Sequence, residues 1–220
     1  MCAILGFTSP SLKKEQVLPY FEKTKSRGPD DTRLEPAGSG MLGFHRLAIM
    51  GLHPEGMQPF HRGGDMAVCN GELYGFRPVK KALEAKGYVF ASDSDCEIIL
   101  PLWQEYGTDM FAGLDAEFAM IIYDSASDSL VAARDPIGIR PLFYGYLADG
   151  SIIFASEAKN LVGLCAHVFP FPPGHYYKDG KFVRYADLTT VTRYSDDDLD
   201  TVTKKIREKL ISAVEKLSLI

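Results

Sequence analysis

The sequence predicts an α+β domain with stacked antiparallel sheets rather than alternating β-α-β units. Three observations carry this expectation. Short runs rich in β-branched and aromatic residues recur between tight turns, two helical segments interrupt them in one block, and a series of hairpins follows.

Taken in order, Ala3–Phe7, Met41–Met50 and Asp65–Tyr74 are strand-length apolar segments. A helix from about Leu12 to Lys25 lies between the first two, interrupted by Pro19. Arg77–Gly87 reads as a helix with Pro78 in its first turn, Val79 and Leu83 on one face and Gly87 placed to end it. Ser94–Gly107 reads as another, with Ser94 and Glu97 at capping-box spacing, Ile98, Ile99, Leu102 and Trp103 for a core, and a bend at Pro101. Strands Glu117–Asp124 and Ser129–Asp135 then flank a polar turn at Ser125–Asp128. Two further hairpins turn at Ala148-Asp149-Gly150 and Asp179-Gly180, where glycine supplies a positive φ. Composition shifts near residue 186 to a polar, acidic stretch. Beyond it Leu199, Val202, Ile206, Leu210, Val214 and Leu217 form one helical stripe that needs a surface to cover it.

Composition narrows the function. The chain has 220 residues, 46% apolar and 24% charged, which suits a globular core and excludes wholesale disorder. A net charge of −5 without basic blocks argues against a nucleic-acid surface. Four cysteines without CxxC spacing and five histidines without a paired motif argue against a zinc site and for a reducing, cytoplasmic setting. Neither a secretory signal nor a membrane-length apolar run is present, so no membrane partner is expected.

Four places carry candidate chemistry. MCAILGF sets Cys2 directly behind the initiator methionine. Removal of Met1 would free an α-amine of pKa about 8 beside a thiol of about 8.5, so that one residue supplies both nucleophile and base. Taken alone, Cys2 reads first as a small buried apolar side chain. Asn70-Gly71, at the end of a strand, could aim an amide and a backbone N–H at one oxygen as an oxyanion hole, although the pair is also a common hairpin turn. Arg46 lies inside an apolar strand and needs a carboxylate, from the protein or from a substrate. Asp95 stands at a predicted helix start, either as a capping acid or as a seat for an α-ammonium group.

Eight segments in order, MCAILGF, RGPDD (27–31), HRLAI (45–49), QPF (58–60), CNGELYG (69–75), SDSDCE (92–97), RDPIGIRPLFYG (134–145) and ASEAKNL (155–161), bring these places together. Over residues 2–178 this set resembles the class II glutamine amidotransferases, which are N-terminal-nucleophile hydrolases. NGE and SDCE resemble the branch found in glutamine-hydrolysing asparagine synthetases. The chain departs from that pattern at Ala48 and Met50-Gly51.

The resemblance implies a four-layer αββα sandwich of two stacked antiparallel sheets. It implies Cys2 as nucleophile, Asn70 and Gly71 as oxyanion donors, and a glutamine site made by Arg46, Leu47, Ala48, Ile49, Met50, Asn70, Gly71, Glu72 and Asp95. RGPDD and RDPIGIRP are expected to be turn scaffolds whose Arg27, Arg134 or Arg140 form ion pairs, and Ser156–Leu161 a capped helix start. The implied domains are a glutamine amidotransferase unit over 2–185, then a linker and first helix of a truncated synthetase domain over 186–220. Neither an SGG-x-D-S loop nor GxxxxGK[ST] occurs, so ATP and Mg are expected only in a synthetase partner and no cofactor in this chain. A homodimer is a further expected partner. The alternatives are a glutaminase domain serving a sugar-phosphate or phosphoribosyl acceptor, or a non-catalytic glutamine-binding module if Met1 is retained.

Overall fold

A computed structural model describes residues 1–49 and 52–217. From the N-terminus run β1 (Ala3–Thr8), α1 (Lys14–Phe21), a 3-10 segment (Glu22–Arg27), β2 (Asp31–Ala37), β3 (Gly40–Arg46), β4 (Phe60–Arg62), β5 (Asp65–Leu73) and α2 (Phe76–Ala85). A 3-10 turn at Asp95–Ile98 leads into α3 (Ile99–Tyr106) and then α4 (Met110–Gly113). The hairpin-rich half holds β6 (Ala116–Asp124), β7 (Ser129–Arg134), β8 (Phe143–Tyr146), β9 (Ile152–Ala155), β10 (Val168–Pro170), β11 (His175–Lys178) and β12 (Lys181–Arg184), and α5 (Leu199–Leu217) comes last.

The strands form two six-stranded sheets in the orders β10-β8-β9-β1-β3-β2 and β12-β11-β7-β6-β5-β4. Alternation along each strand builds three apolar layers. On β1, Ile4 joins Leu42, Phe44, Val68, Ile121 and Phe154 between the sheets. Leu5 and Phe7 point the other way, onto Val17 and Phe21 of α1. On β5, Val68 faces the first sheet, whereas Ala67 and Cys69 face Phe76 and Leu83 of α2 and Ile99 and Trp103 of α3. A strand buried on both faces needs apolar residues at odd and even positions alike, which is why these strands read as near-continuous apolar runs. The result is the expected four-layer stack of α1, two antiparallel sheets, and α2 to α4.

Several local expectations are corrected. The first helix ends at Phe21 and tightens into the 3-10 segment, with Pro19 inside it. Ser94 caps nothing with its side chain. The Glu97 carboxylate instead accepts from the N–H of Ala91 (2.7 Å) and Ser92 (2.8 Å) and from Ser92 Oγ (2.6 Å). Pro101 falls in the first turn of α3, where a missing N–H costs nothing, so no bend is required. Ser156–Leu161 holds only a 3-10 turn at Ala158–Asn160, and Ser156 Oγ accepts the N–H of Ile4 at 2.8 Å. Asn70-Gly71 is no hairpin turn, because both residues pair within the ladder to Ala119 and Phe118. The stripe on α5 is not covered: Leu199, Ile206, Leu210, Val214 and Leu217 are all exposed.

The RDPIGIRP segment is held by its own charges. Buried Asp135 accepts the N–H groups of Ile137 (3.1 Å), Gly138 (2.6 Å), Ile139 (2.9 Å) and Arg140 (3.0 Å), and that of Phe118 on β6 (3.3 Å). Among the described residues Arg134 pairs with no carboxylate but donates to the carbonyls of Arg140, Phe171 and Gly138. Replacing Asp135 by alanine leaves those N–H groups without their acceptor. Asp135→Ala is expected to lower the unfolding free energy by about 3 kcal/mol. Urea denaturation checks this, and a change below about 1 kcal/mol would contradict the assigned role.

Candidate active site

Strand parity assembles the site. Cys2 shares the inter-sheet face of β1 with Ile4, Arg46 continues the face of Leu42 and Phe44 on β3, and Asn70 and Glu72 continue that of Met66 and Val68 on β5. Because Ala3 pairs with His45, the Cys2 and Arg46 positions adjoin at the same sheet end. His45 points outward. It stacks on Phe21 at 3.8 Å, bonds to Thr32 Oγ1 and Phe21 O, and burial holds its pKa below the ordinary value.

These even-numbered residues converge on a narrow cleft of about 70 Å³, lined by Cys2, Arg46, Leu47, Ile49, Asn70, Gly71, Glu72 and Asp95, with Met1, Gln58, Cys69, Cys96 and Arg140 also on its wall. Eight of the sequence candidates therefore meet in one place. Ala48 does not line it, and its N–H instead binds Asp30 Oδ2 at 2.8 Å. Met50 lies outside the described residues.

Each wall is anchored. Cys2 Sγ accepts the N–H of Leu47 at 3.3 Å and contacts its carbonyl oxygen at 3.5 Å. The Cys2 carbonyl accepts Arg27 Nε at 3.1 Å, and the same guanidinium pairs with Glu157 at 2.8 Å, so RGPDD is a scaffold as expected, one that holds the nucleophile candidate's own backbone. Buried Arg46 donates from Nη2 to His53 O at 3.1 Å. Asp95 Oδ2 accepts the N–H of Leu73 at 2.7 Å, tying the 3-10 turn to the end of β5. Gly71 has no room for a side chain: a Cβ there would stand 2.6 Å from Glu117 O and 2.9 Å from Phe118 Cβ.

Sequence reasoning gave no role to Gln58 or, in the cleft, to Arg140. Gln58 is buried, and its carboxamide pairs with Cys69 in strand fashion, accepting the N–H at 2.6 Å and donating to the carbonyl at 3.2 Å. It thereby fixes the backbone just before Asn70. Its only sequence signal was membership of the QPF motif. Arg140, read as scaffold, emerges at the cleft paired to Glu117 at 2.5 Å.

The cleft keeps polar groups in want of partners. Asn70 is 2% exposed, yet among the described residues its Nδ2 has no hydrogen-bond partner, and the same holds for Glu72 Oε1 and Arg140 Nε. Each such buried group costs about 1–3 kcal/mol, so an arrangement that leaves three on one wall is suited to a polar ligand. Burial pushes the Cys2 thiol above its ordinary value, against the hydrogen bond from Leu47, so the free thiol is not ionised at neutral pH. Burial likewise raises Asp95. Glu72 is lifted to about 7 by burial and by neighbouring Asp95, with Arg140 pulling the other way. Both carboxyl groups are thus harder to ionise here than in water.

Comparison with known proteins follows from this geometry. The profile of the glutamine amidotransferase domain family matches residues 1–176. The chain belongs to this amidotransferase family. Among curated proteins the domain is 38% identical over 194 residues to a Dictyostelium discoideum protein named "probable asparagine synthetase [glutamine-hydrolyzing]", covering 84% of this chain and 35% of that one. It is 39% identical over 188 residues to the glutamine-hydrolysing asparagine synthetase of Sandersonia aurantiaca, covering 83% and 35%. The chain thus spans about a third of the length of these relatives. In fold the amidotransferase domain resembles the glutamine phosphoribosylpyrophosphate amidotransferase of B. subtilis solved with ADP and GMP, with a TM-score of 0.68 at 19% identity over 84% of this chain and 49% of that one. A second structure, an allosteric regulatory enzyme of purine biosynthesis, gives 0.59 at 21% identity, covering 87% and 44%. Both support the fold of two stacked antiparallel sheets between helical layers. Among the described residues no helix is long and apolar enough to cross a membrane, and no cluster of His, Cys, Asp and Glu is arranged to hold a metal.

The Glu72 shift has a sign that can be read in stability. The folded amidotransferase domain holds this proton to about pH 7, whereas the unfolded chain releases it near 4.5. The group's contribution is therefore complete below pH 4.5 and is withdrawn as pH rises to 7. Glu72→Gln is expected to remove that decline, measured as the difference in unfolding free energy between the two ends of the window. An identical pH slope in both proteins would contradict the assignment.

Proposed function

We propose that this domain hydrolyses glutamine to glutamate and ammonia through a thioester on Cys2. The observation that carries the proposal is the meeting, in one cleft, of the Cys2 thiol, the unpartnered Asn70 amide, Arg46, and the Glu72–Asp95 carboxyl pair. A free glutamine matches this set end to end. Its α-carboxylate is taken by Arg46, its α-ammonium by Glu72 and Asp95, with Leu47 and Ile49 beside it, while its carboxamide lies against Cys2 and Asn70. Charge-assisted bonds at both ends of the head group select a free amino acid over a peptide.

A neutral thiol needs a base, and among the described residues that line the cleft there is no histidine. Met1 stands at the cleft and is 51% exposed. With it removed, the α-amine of Cys2 takes the thiol proton as sulfur bonds to the amide carbon. The oxyanion formed is held by Asn70 Nδ2 and the N–H of Gly71, each such donor being worth about 3 kcal/mol of barrier. Return of the proton from the α-ammonium to nitrogen expels ammonia and leaves the glutamyl thioester. Water then adds with the α-amine as base, the carbon–sulfur bond breaks, and the proton returns to sulfur as glutamate departs.

The partner of this chemistry is proposed from the relatives. They carry about twice as much additional chain and are named asparagine synthetases, so the ammonia is assigned to an ATP- and Mg-dependent synthetase module that converts aspartate to asparagine, with residues 2–185 as the glutaminase unit and 186–220 as the lead into the module. In neutral water ammonia is mostly ammonium and has no lone pair to attack with, so direct transfer between sites preserves the nucleophile.

Protein whose mass confirms Cys2 as first residue is expected to release ammonia from glutamine, and Cys2→Ala to release none. Asn70→Ala is expected to lower kcat by about 10²–10³ with little change in KM, because its bond forms in the transition state. Equal rates for the Cys2-first protein and the Cys2→Ala variant would overturn the proposal.

A further inference from the structure

Arg140 is more than a scaffold cation. The loop that carries it is pinned from both ends: Asp135 gathers the four N–H groups of residues 137–140, and Arg134 Nε holds the Arg140 carbonyl at 2.7 Å. The side chain is then aimed by its bond from Nη2 to Glu117, itself on β6 opposite Glu72. That ion pair engages Nη2 and leaves Nε–H, on a residue that lines the cleft, buried and without a partner among the described residues. Oε1 of Glu72, another residue lining the cleft, is also buried and unpartnered among the described residues. The donor and the acceptor do not satisfy each other although both residues line one cleft, an arrangement complementary to a ligand that bears an ammonium and a carboxylate on the same carbon. An α-amino acid head group has that form.

We propose that Arg140 is a substrate-binding residue whose Nε–H donates to the second oxygen of the α-carboxylate, making with Arg46 a two-guanidinium clamp beside Glu72 and Asp95. This rests on glutamine as the ligand of the cleft. The other end of glutamine is excluded as the Arg140 target because its carboxamide oxygen is served by Asn70 and Gly71. The groups facing Glu72 from the surrounding elements are Asp95 from the 3-10 turn before α3, Glu117 from β6 and Arg140 from its loop. Arg140 is thus the cation that offsets three acids until a substrate ammonium arrives. The second guanidinium adds selectivity for a free α-carboxylate, since an α-amide offers no anion.

The test is calorimetric titration of the Cys2→Ala full chain with L-glutamine and with L-glutamine α-amide, in otherwise native protein and with R140Q or E117Q added. R140Q is expected to weaken glutamine binding about tenfold or more while changing α-amide binding less than about twofold, and E117Q, which removes the charge but keeps a carbonyl oxygen for Arg140 Nη2 to donate to, to change either ligand by less than about threefold. Thermal unfolding confirms that each variant is folded. If R140Q is not, R140K keeps the charge and loses the planar fork, and the same selective loss is expected. Equal glutamine affinity with and without the Arg140 substitution overturns this inference alone, as does an equal loss in R140Q and E117Q, which would reduce Arg140 to its ion pair. Absence of glutamine binding to the parent protein overturns the glutamine assignment and this inference with it.

Discussion

Desolvation of the cleft between the two sheets is the constraint on which the site depends. Inside it a thiol is kept protonated, an asparagine amide and an arginine Nε go without acceptors, and two carboxyl groups are lifted above their ordinary range. In water none of these groups would be unsatisfied. Their cost is borne by the surrounding core, where β1, β3, β5 and β6 bury apolar residues between the sheets, and on β1, β3 and β5 that face turns polar at the end that meets the cleft. Stability and binding capacity are therefore separated along each strand: the apolar positions hold the stack, and the last one or two residues carry the polar groups.

That separation explains the rigidity of the supports. Arg27 and Ser156 hold the backbone at Cys2 and Ile4, Gln58 completes the ladder at Cys69, and Asp135 with Arg134 shapes the loop before Arg140. Each acts on main-chain atoms, so each fixes a side chain it does not itself touch. A site with unpaired donors requires such support, because an unsatisfied group that could move would find a carbonyl or water instead.

Much of this was legible in the residues, for reasons that also mark what was not. Central strands β1, β3, β5, β6 and β7 announced themselves because both of their faces are buried. The hairpin at Asp179-Gly180 was readable from its turn, where both residues adopt positive φ. The strands that escaped, β2, β4 and β10, are all at sheet edges, where proline and charge are tolerated: β2 contains Pro36 and three charged residues, and β10 ends in Pro170. At the site, Arg46 and Asp95 were conspicuous by their charge, Cys2 and Asn70 gained their roles from the ordered set of motifs, and Glu72 entered only with the family resemblance. Gln58 and Arg140 were not legible, since a glutamine bonding to a neighbouring strand and an arginine in a turn motif have no pattern that distinguishes them from ordinary surface residues. The capping box at Ser94 failed because the Glu97 carboxylate found stronger use on the preceding loop.

The most direct measurement is acid-quenched mass spectrometry of Cys2-first protein mixed with glutamine in the steady state. A glutamyl group attached to the Cys2 peptide, removable by hydroxylamine, is the result predicted by nucleophilic attack from the first strand. Release of glutamate with Cys2 unmodified, or with the adduct on Cys69 or Cys96, would contradict it.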